Sequence, residues 1–227
     1  MFYGNEKAVG EGIRASGVPR DQIFVTTKLW DDVRGEAATV ADAKQSLKRL
    51  GLDYVDLYLI HSPHDGQIVD TYKAMHKLKA AGLVKSVGVS NFGVRHLEGL
   101  KAAGCPPPSC NQIELHVFLQ QPEIVAYCRA AGIAVTAYSP LGKGAWVHRK
   151  AVIEVAAKYG KTAAQLLIRW SLQSNFVCIP KSSNAGRIAE NFDVFDFEIS
   201  AEDMGALAAL DGAEHCTWDP TTTEWVG

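Results

Sequence analysis

The sequence predicts an α/β protein built on a parallel sheet, of the TIM-type (β/α)8 barrel class, and three observations carry this expectation. Two nearly continuous apolar runs, at residues 22–28 and 54–60, suit strands buried on both faces by flanking helices. Glycines at 17, 51, 82, 104 and 132 end helical stretches about thirty residues apart, one strand–helix unit each. Strict strand–helix alternation leaves two topologies, an open doubly wound sheet or a closed barrel. No G-x-G-x-x-G follows the early strands, which argues against the open dinucleotide-binding sheet.

Residues 3 to 16 are expected to be helical, with Val9 and Ile13 on the apolar face and Gly17 and Pro19 as the stop. The run to Lys28 is the first strand. A helix follows at residues 37 to 50, where Val40, Ala43, Leu47 and Leu50 recur at helical spacing. The run 54–60 is the second strand, and Pro63 stops its pairing. Tyr72, Met75 and Leu78 mark a helix, residues 84–89 a strand, and Val94, Leu97 and Leu100 another helix. After three prolines at 106–108 come a strand at 110–114, a helix from Pro122 to Gly132 and a strand at 133–138. Two helices fill 148–174, and the last strand is 176–179. Helices near 184–192 and 200–210 complete the chain, the second opened by Ser200 and Asp203 as a capping pair. Six strands, and a chain that opens in a helix, predict one barrel domain lacking its first strand, first helix and second strand.

Composition narrows the function classes. The chain has 227 residues, 47% of them hydrophobic, enough for one sizeable core. A net charge of −2 leaves no electrostatic footprint for nucleic acid or a membrane surface. No apolar segment reaches the ~20 residues of a membrane helix, and no signal-peptide core is present at the start. Five cysteines (105, 110, 128, 178 and 216), without a C-x-x-C pair, predict free thiols in a reducing, cytoplasmic location.

Two buried strands that each end on an ionisable residue, Lys28 and His61, point to a site at the carboxyl end of the sheet. Either residue alone reads better as the first solvated position past a strand, and it is the pair that points to a site. Lys181 and Ser182 follow the last strand, and Arg187 lies on the helix just after. A cation pair beside a helix amino terminus suits a phosphate, against the alternative of ordinary surface charges. His61 and His64 form an H-x-x-H, but Pro63 between them argues against a helix presenting both, so no metal site is expected. No serine stands in a G-x-S-x-G elbow, and no cysteine has an evident activating partner.

Seven segments, in order, resemble those of the aldo-keto reductases. Residues 2–6 (FYGNE), 26–30 (TTKLW) and 59–63 (LIHSP) are similar to catalytic segments. Residues 88–92 (GVSNF), 111–116 (NQIELH), 137–142 (AYSPLG) and 179–182 (IPKS), with Arg187, Glu190 and Asn191, are similar to cofactor segments. The resemblance implies a (β/α)8 barrel that reduces aldehydes and ketones with a nicotinamide cofactor. It implies Tyr3 as the general acid, its pKa lowered from about 10 by Lys28, and His61 as the group that orients the carbonyl; Trp30 is expected to wall the substrate pocket, with core packing as its alternative. It further implies that Ser90, Asn91 and Gln112 hold the nicotinamide carboxamide and that Tyr138 stacks on its ring. Ser139 and Leu141 begin the loop crossing the pyrophosphate. Lys181, Ser182 and Arg187 meet the adenosine 2′-phosphate, and Glu190 and Asn191 meet the adenine, so the cofactor expected is NADPH/NADP rather than NAD.

The sequence departs from the family pattern in two places. The family's catalytic aspartate, a few residues before the tyrosine, has no counterpart here, since only Met1 and Phe2 precede Tyr3. Val117 stands where many members have proline. The partner expected is a small carbonyl compound, with no nucleic acid and no membrane. A monomer is expected of the complete barrel, and aggregation-prone sheet edges where strands are missing. Two alternatives stay open: a non-catalytic NADPH-binding or regulatory subunit, and a fragment inactive for want of the aspartate.

Overall fold

A computed structural model of the chain describes residues 3–227; Met1 and Phe2, the latter the first residue of the FYGNE segment, lie outside the described residues. The elements are α1 (Glu6–Ser16), β1 (Thr26–Leu29), α2 (Glu36–Leu50), β2 (Val55–Ile60), α3 (Ile68–Ala80), β3 (Val84–Ser90), α4 (Val94–Ala102) and β4 (Cys110–Glu114). They continue as α5 (Pro122–Ala130), β5 (Ala134–Tyr138), α6 (Lys150–Lys158), α7 (Ala163–Gln173), β6 (Val177–Cys178), α8 (Ala185–Phe192) and α9 (Ala201–Ala208). Sheet order follows chain order, β1-β2-β3-β4-β5-β6. This is the parallel α/β series expected of the barrel class, and among the described residues no strand precedes β1. The chain divides into two compact units, one running to Asn111 together with Pro220–Gly227, the other Gln112–Asp219. No helix among the described residues is long and apolar enough to cross a membrane.

In the first unit β2 lies between β1 and β3, all parallel, with Lys28 opposite Leu59 and Leu59 opposite Gly88. Leu59 and Ile60 are fully buried, as the apolar run requires of a central strand. Gly88 is needed there: a β-carbon would stand 2.7 Å from the Cys110 carbonyl oxygen and 2.7 Å from a Leu59 methyl. The first strand is shorter than its apolar run. Residues 20–22 form a single 3-10 turn, and the Asp56 carboxylate accepts bonds from the Val25 N–H at 2.8 Å and from Arg20 at 2.7 Å. A side chain thus satisfies the backbone donor that a longer strand would have used, and Phe24 stays exposed.

The first helix starts at Glu6 rather than residue 3, because Gly4 adopts a left-handed φ of 60°. Its inner face also differs from the expected one. Val9 is exposed, and the buried residues are Glu6 and Gly10. Gly10 lies so close to α2 that a β-carbon would be 1.8 Å from the Leu50 carbonyl oxygen. The carboxyl tail packs along α4, where a β-carbon on Gly99 would meet the Trp225 ring at 2.4 Å. Buried His96 accepts from the Gly93 N–H at 2.9 Å through Nδ1, so its Nε2 donates to the Thr223 carbonyl at 2.8 Å.

In the second unit β5 pairs with β6 in parallel, Thr136 with Val177 and Ala137 with Cys178. The last strand has two residues where four were expected, and Val177 and Ile179 face solvent. Side-chain caps start three helices. Thr162 and Gln165 form a capping box on α7, Asn184 accepts from Arg187 N on α8, and Ser200 accepts from Asp203 N on α9.

Candidate active site

Strand pairing sets the site of the first unit. Lys28 is in β1, and His61 follows β2 with its N–H donating to the Leu29 carbonyl at 3.0 Å. The two strand ends therefore finish side by side. Asn91, just past β3 at a φ of 63°, donates Nδ2 to the His61 carbonyl at 2.9 Å and ties the third strand end to the second. The Trp30 and His61 rings meet edge-on at 4.6 Å. Tyr3, 53% exposed, precedes α1 and places its ring 5.0 Å from Lys28 Nζ and 6.2 Å from the His61 ring. Tyr3, Lys28, Trp30 and His61 thus form one cluster, with buried Ser90 ending the adjoining strand.

Arg34 pins the loops behind this cluster. It donates to Asp31 at 3.0 Å, to the Ser62 carbonyl at 3.1 Å and to the His64 carbonyl at 3.1 Å. Glu6 does the same for the segment bearing Tyr3. It is buried, accepts from Thr27 Oγ1 at 2.7 Å and accepts from Arg49 Nε at 2.6 Å. Thr27 is Lys28's neighbour on β1, so the tyrosine segment and the lysine strand share one carboxylate. Sequence reasoning quoted Glu6 only as part of a segment and passed over Arg34. The signal available was an acid on the helix face that also carries Gly10.

Burial governs the electrostatics. It lowers the Lys28 pKa to about 8, partly offset by Cys110. It lowers His61 to about 4, with the Lys28 charge adding to the effect, so the imidazole is neutral at pH 7. Tyr3 corrects the expectation. Partial burial raises its pKa, whereas Lys28 was expected to lower it. The ammonium stands over the ring face, and desolvation of the phenolate by burial sets the direction.

The second unit carries the remaining expected positions. Gln112 is buried on β4, and Tyr138 ends β5 with its hydroxyl 3.3 Å from Thr217 Oγ1. Ser139, at a φ of 54°, and Leu141 lie in the turn after it. Lys181 and Ser182 follow β6, and Ser182 Oγ accepts from Asn184 N at 3.1 Å and lies 3.4 Å from Arg187 Nε. Glu190 and Asn191 are half-buried on α8. An ammonium, a guanidinium and a hydroxyl beside a helix start form a donor set that fits a phosphate.

Glu114, at the end of β4, is a further residue that sequence reasoning quoted only as part of a segment. It accepts from His116 Nε2 at 3.0 Å, from the N–H groups of Cys216 at 2.7 Å and Thr217 at 3.1 Å, and from the Thr217 hydroxyl. Burial pushes its pKa up, but hydrogen bonds from His116, Cys216 and Thr217 outweigh that and hold it at about 2. No sequence signal links Glu114 to a loop about a hundred positions away.

A statistical model of the Aldo/keto reductase family matches residues 1–212. Glyoxal reductase of Bacillus subtilis is 44% identical over 219 residues, covering 96% of this chain and 79% of the relative. Among solved structures, MGS-M4, an aldo-keto reductase enzyme from a Medee basin deep-sea metagenome library, superposes with a TM-score of 0.94 at 40% identity. That match covers 99% of this chain and 84% of the other. The aldo-keto reductase of Bombyx mori in complex with NADP gives a TM-score of 0.87 at 36% identity, covering 94% and 77%.

The His61 pKa sets a pH dependence. Unfolded histidine takes up its proton near pH ~6.5, but in the fold His61 resists protonation until about pH 4. The unfolded state therefore binds more protons in that window, and stability falls as pH drops from ~6.5 toward 4. A proton NMR titration should find the His61 midpoint near 4; an ordinary histidine midpoint of ~6.5 would contradict the buried, neutral ring.

Proposed function

The chain belongs to the aldo/keto reductase family, and from that premise we propose that it reduces small aldehydes and ketones to alcohols with NADPH. The observation that carries this reading is the Tyr3–Lys28–His61 cluster at the strand ends. The glyoxal reductase among its relatives supports a small carbonyl substrate, and the NADP-bound relative supports the cofactor. NADPH, when bound, supplies the hydride.

Tyr3 gives its phenolic proton to the substrate oxygen as negative charge develops there. Its raised pKa keeps the phenol protonated at neutral pH, the form a donor needs. The Lys28 ammonium stabilises the phenolate left behind. Neutral His61 donates a ring N–H to the carbonyl oxygen and so sets its direction, and Trp30 walls the substrate pocket. Lys181, Ser182 and Arg187 would hold the 2′-phosphate, with Glu190 and Asn191 toward the adenine. Tyr138 would stack on the nicotinamide, Ser139 and Leu141 would flank the pyrophosphate, and Ser90, Asn91 and Gln112 would hold the carboxamide. These assignments rest on the family resemblance. A second reading, NADPH binding without turnover, is favoured by one observation: among the described residues Lys28 forms no ion pair to secure its charge. Tight NADPH binding with no oxidation across a panel of aldehydes would support that reading.

Tyr3→Phe keeps the ring and removes the acid, so kcat should fall by about 10²–10⁴ with NADPH affinity unchanged. Wild-type turnover should also decline above pH 8 or so, as Lys28 loses its proton. A Tyr3→Phe enzyme that keeps most of its activity would remove Tyr3 from the mechanism.

Arg187→Ala removes one charge-assisted phosphate contact, worth about 1.5–3 kcal/mol. Calorimetric titration should show NADPH binding weakened roughly tenfold or more, with NADH binding nearly unchanged. Equal weakening of both cofactors would show that Arg187 does not read the 2′-phosphate.

A further inference from the structure

We propose that Glu114, His116, His215 and Cys216 form a zinc-binding site within the second unit. Glu114, His116 and Cys216 converge, each offering a ligand atom, and those atoms lie within 4.8 Å of one another. Two of the donors are rigid. Glu114 ends β4, and His116 is fixed by reciprocal backbone bonds with Leu119 at 3.0 and 2.9 Å. Both side chains are buried. Cys216 is brought to them by the N–H bonds that Cys216 and Thr217 give Glu114.

His215 supplies a fourth donor. Its Nδ1 lies 3.8 Å from Glu114 Oε2, and its Nε2 lies 3.7 Å from Asp219 Oδ2. An imidazole with one nitrogen toward the cluster and the other toward a carboxylate has the orientation that metal-ligating histidines take. His116 already turns Nε2 to Glu114 Oε1 at 3.0 Å, so the nitrogen that would ligate faces the cluster.

The donor chemistry selects the ion. A thiol, two imidazoles and a carboxylate suit Zn²⁺, and do not suit Ca²⁺ or Mg²⁺, which need all-oxygen sites. His215 is exposed and Cys216 half-buried, and they give the ion a way in from solvent. On binding, Cys216 gives up its thiol proton to solvent and ligates as the thiolate. His116 stays neutral, its ring proton passing from Nε2 to Nδ1 as Nε2 turns to the metal. One proton leaves per zinc, and two anionic ligands balance the dication.

The test is metal binding by the full chain, with no turnover involved, so its failure and that of the reductase reading are distinguishable. Titration with Co²⁺ should bind one ion per chain and produce the thiolate-to-cobalt charge-transfer band in the near ultraviolet. Zn²⁺ should displace it, and calorimetry in two buffers of different ionisation heat should find one proton released. Cys216→Ser, with its fold checked by circular dichroism, should abolish the band, and His215→Asn should weaken Zn²⁺ at least about tenfold. Cys105→Ser should leave both unchanged. Absence of the band in the wild type, or its survival in Cys216→Ser, would overturn the site.

Discussion

Glu6 holds a carboxylate almost wholly withdrawn from water, at 3% exposure, and it is tolerated there because Arg49 and Thr27 bond both of its oxygens. A buried carboxylate is costly unless its oxygens are bonded and its charge is answered. The bonds therefore fix where α1 begins relative to β1 and α2. Gly10, one turn further on, removes the β-carbon that would hold the helices apart. Tyr3 lies three residues before Glu6 and Lys28 one residue after Thr27, so their closeness follows from this clamp.

Glu114 repeats the device in the second unit. Its carboxylate gathers two backbone N–H groups and two side chains, and so holds a loop that lacks regular structure of its own. Charge-assisted bonds of this kind are about twice as strong as neutral ones. Thr217 of that loop reaches the Tyr138 hydroxyl, which gives the ring proposed to meet the nicotinamide a defined neighbour. In both units a buried acid positions a segment whose own sequence could not.

What the sequence displays is local. The apolar run at 54–60 became a central strand, Ser200 became a helix cap, and Lys28 and His61 came to the same end of the sheet. What it conceals is tertiary. The first strand starts late because Asp56 takes the Val25 N–H, and the inner face of α1 is Glu6 and Gly10 because Arg49 of α2 bonds Glu6 and α2 leaves no room for a β-carbon at Gly10. The Tyr3 pKa moved opposite to expectation because charge proximity is implied by a motif, whereas desolvation depends on the finished packing. The roles of Glu6 and Glu114 escaped notice for the same reason, since, His116 apart, the side chains they hold are 21 to 103 positions away.

The central claim is that the Glu6 clamp sets Tyr3 over Lys28 and thereby makes the proposed proton donor effective. Glu6→Gln tests it most directly, since glutamine keeps the shape and an acceptor for Thr27 while losing the charge that Arg49 answers. Steady-state kinetics and NADPH binding should be measured on the folded variant. The account predicts that kcat falls by about tenfold or more, as for a small misplacement of a reacting group, with NADPH affinity retained. A folded Glu6→Gln enzyme with wild-type kcat would contradict it.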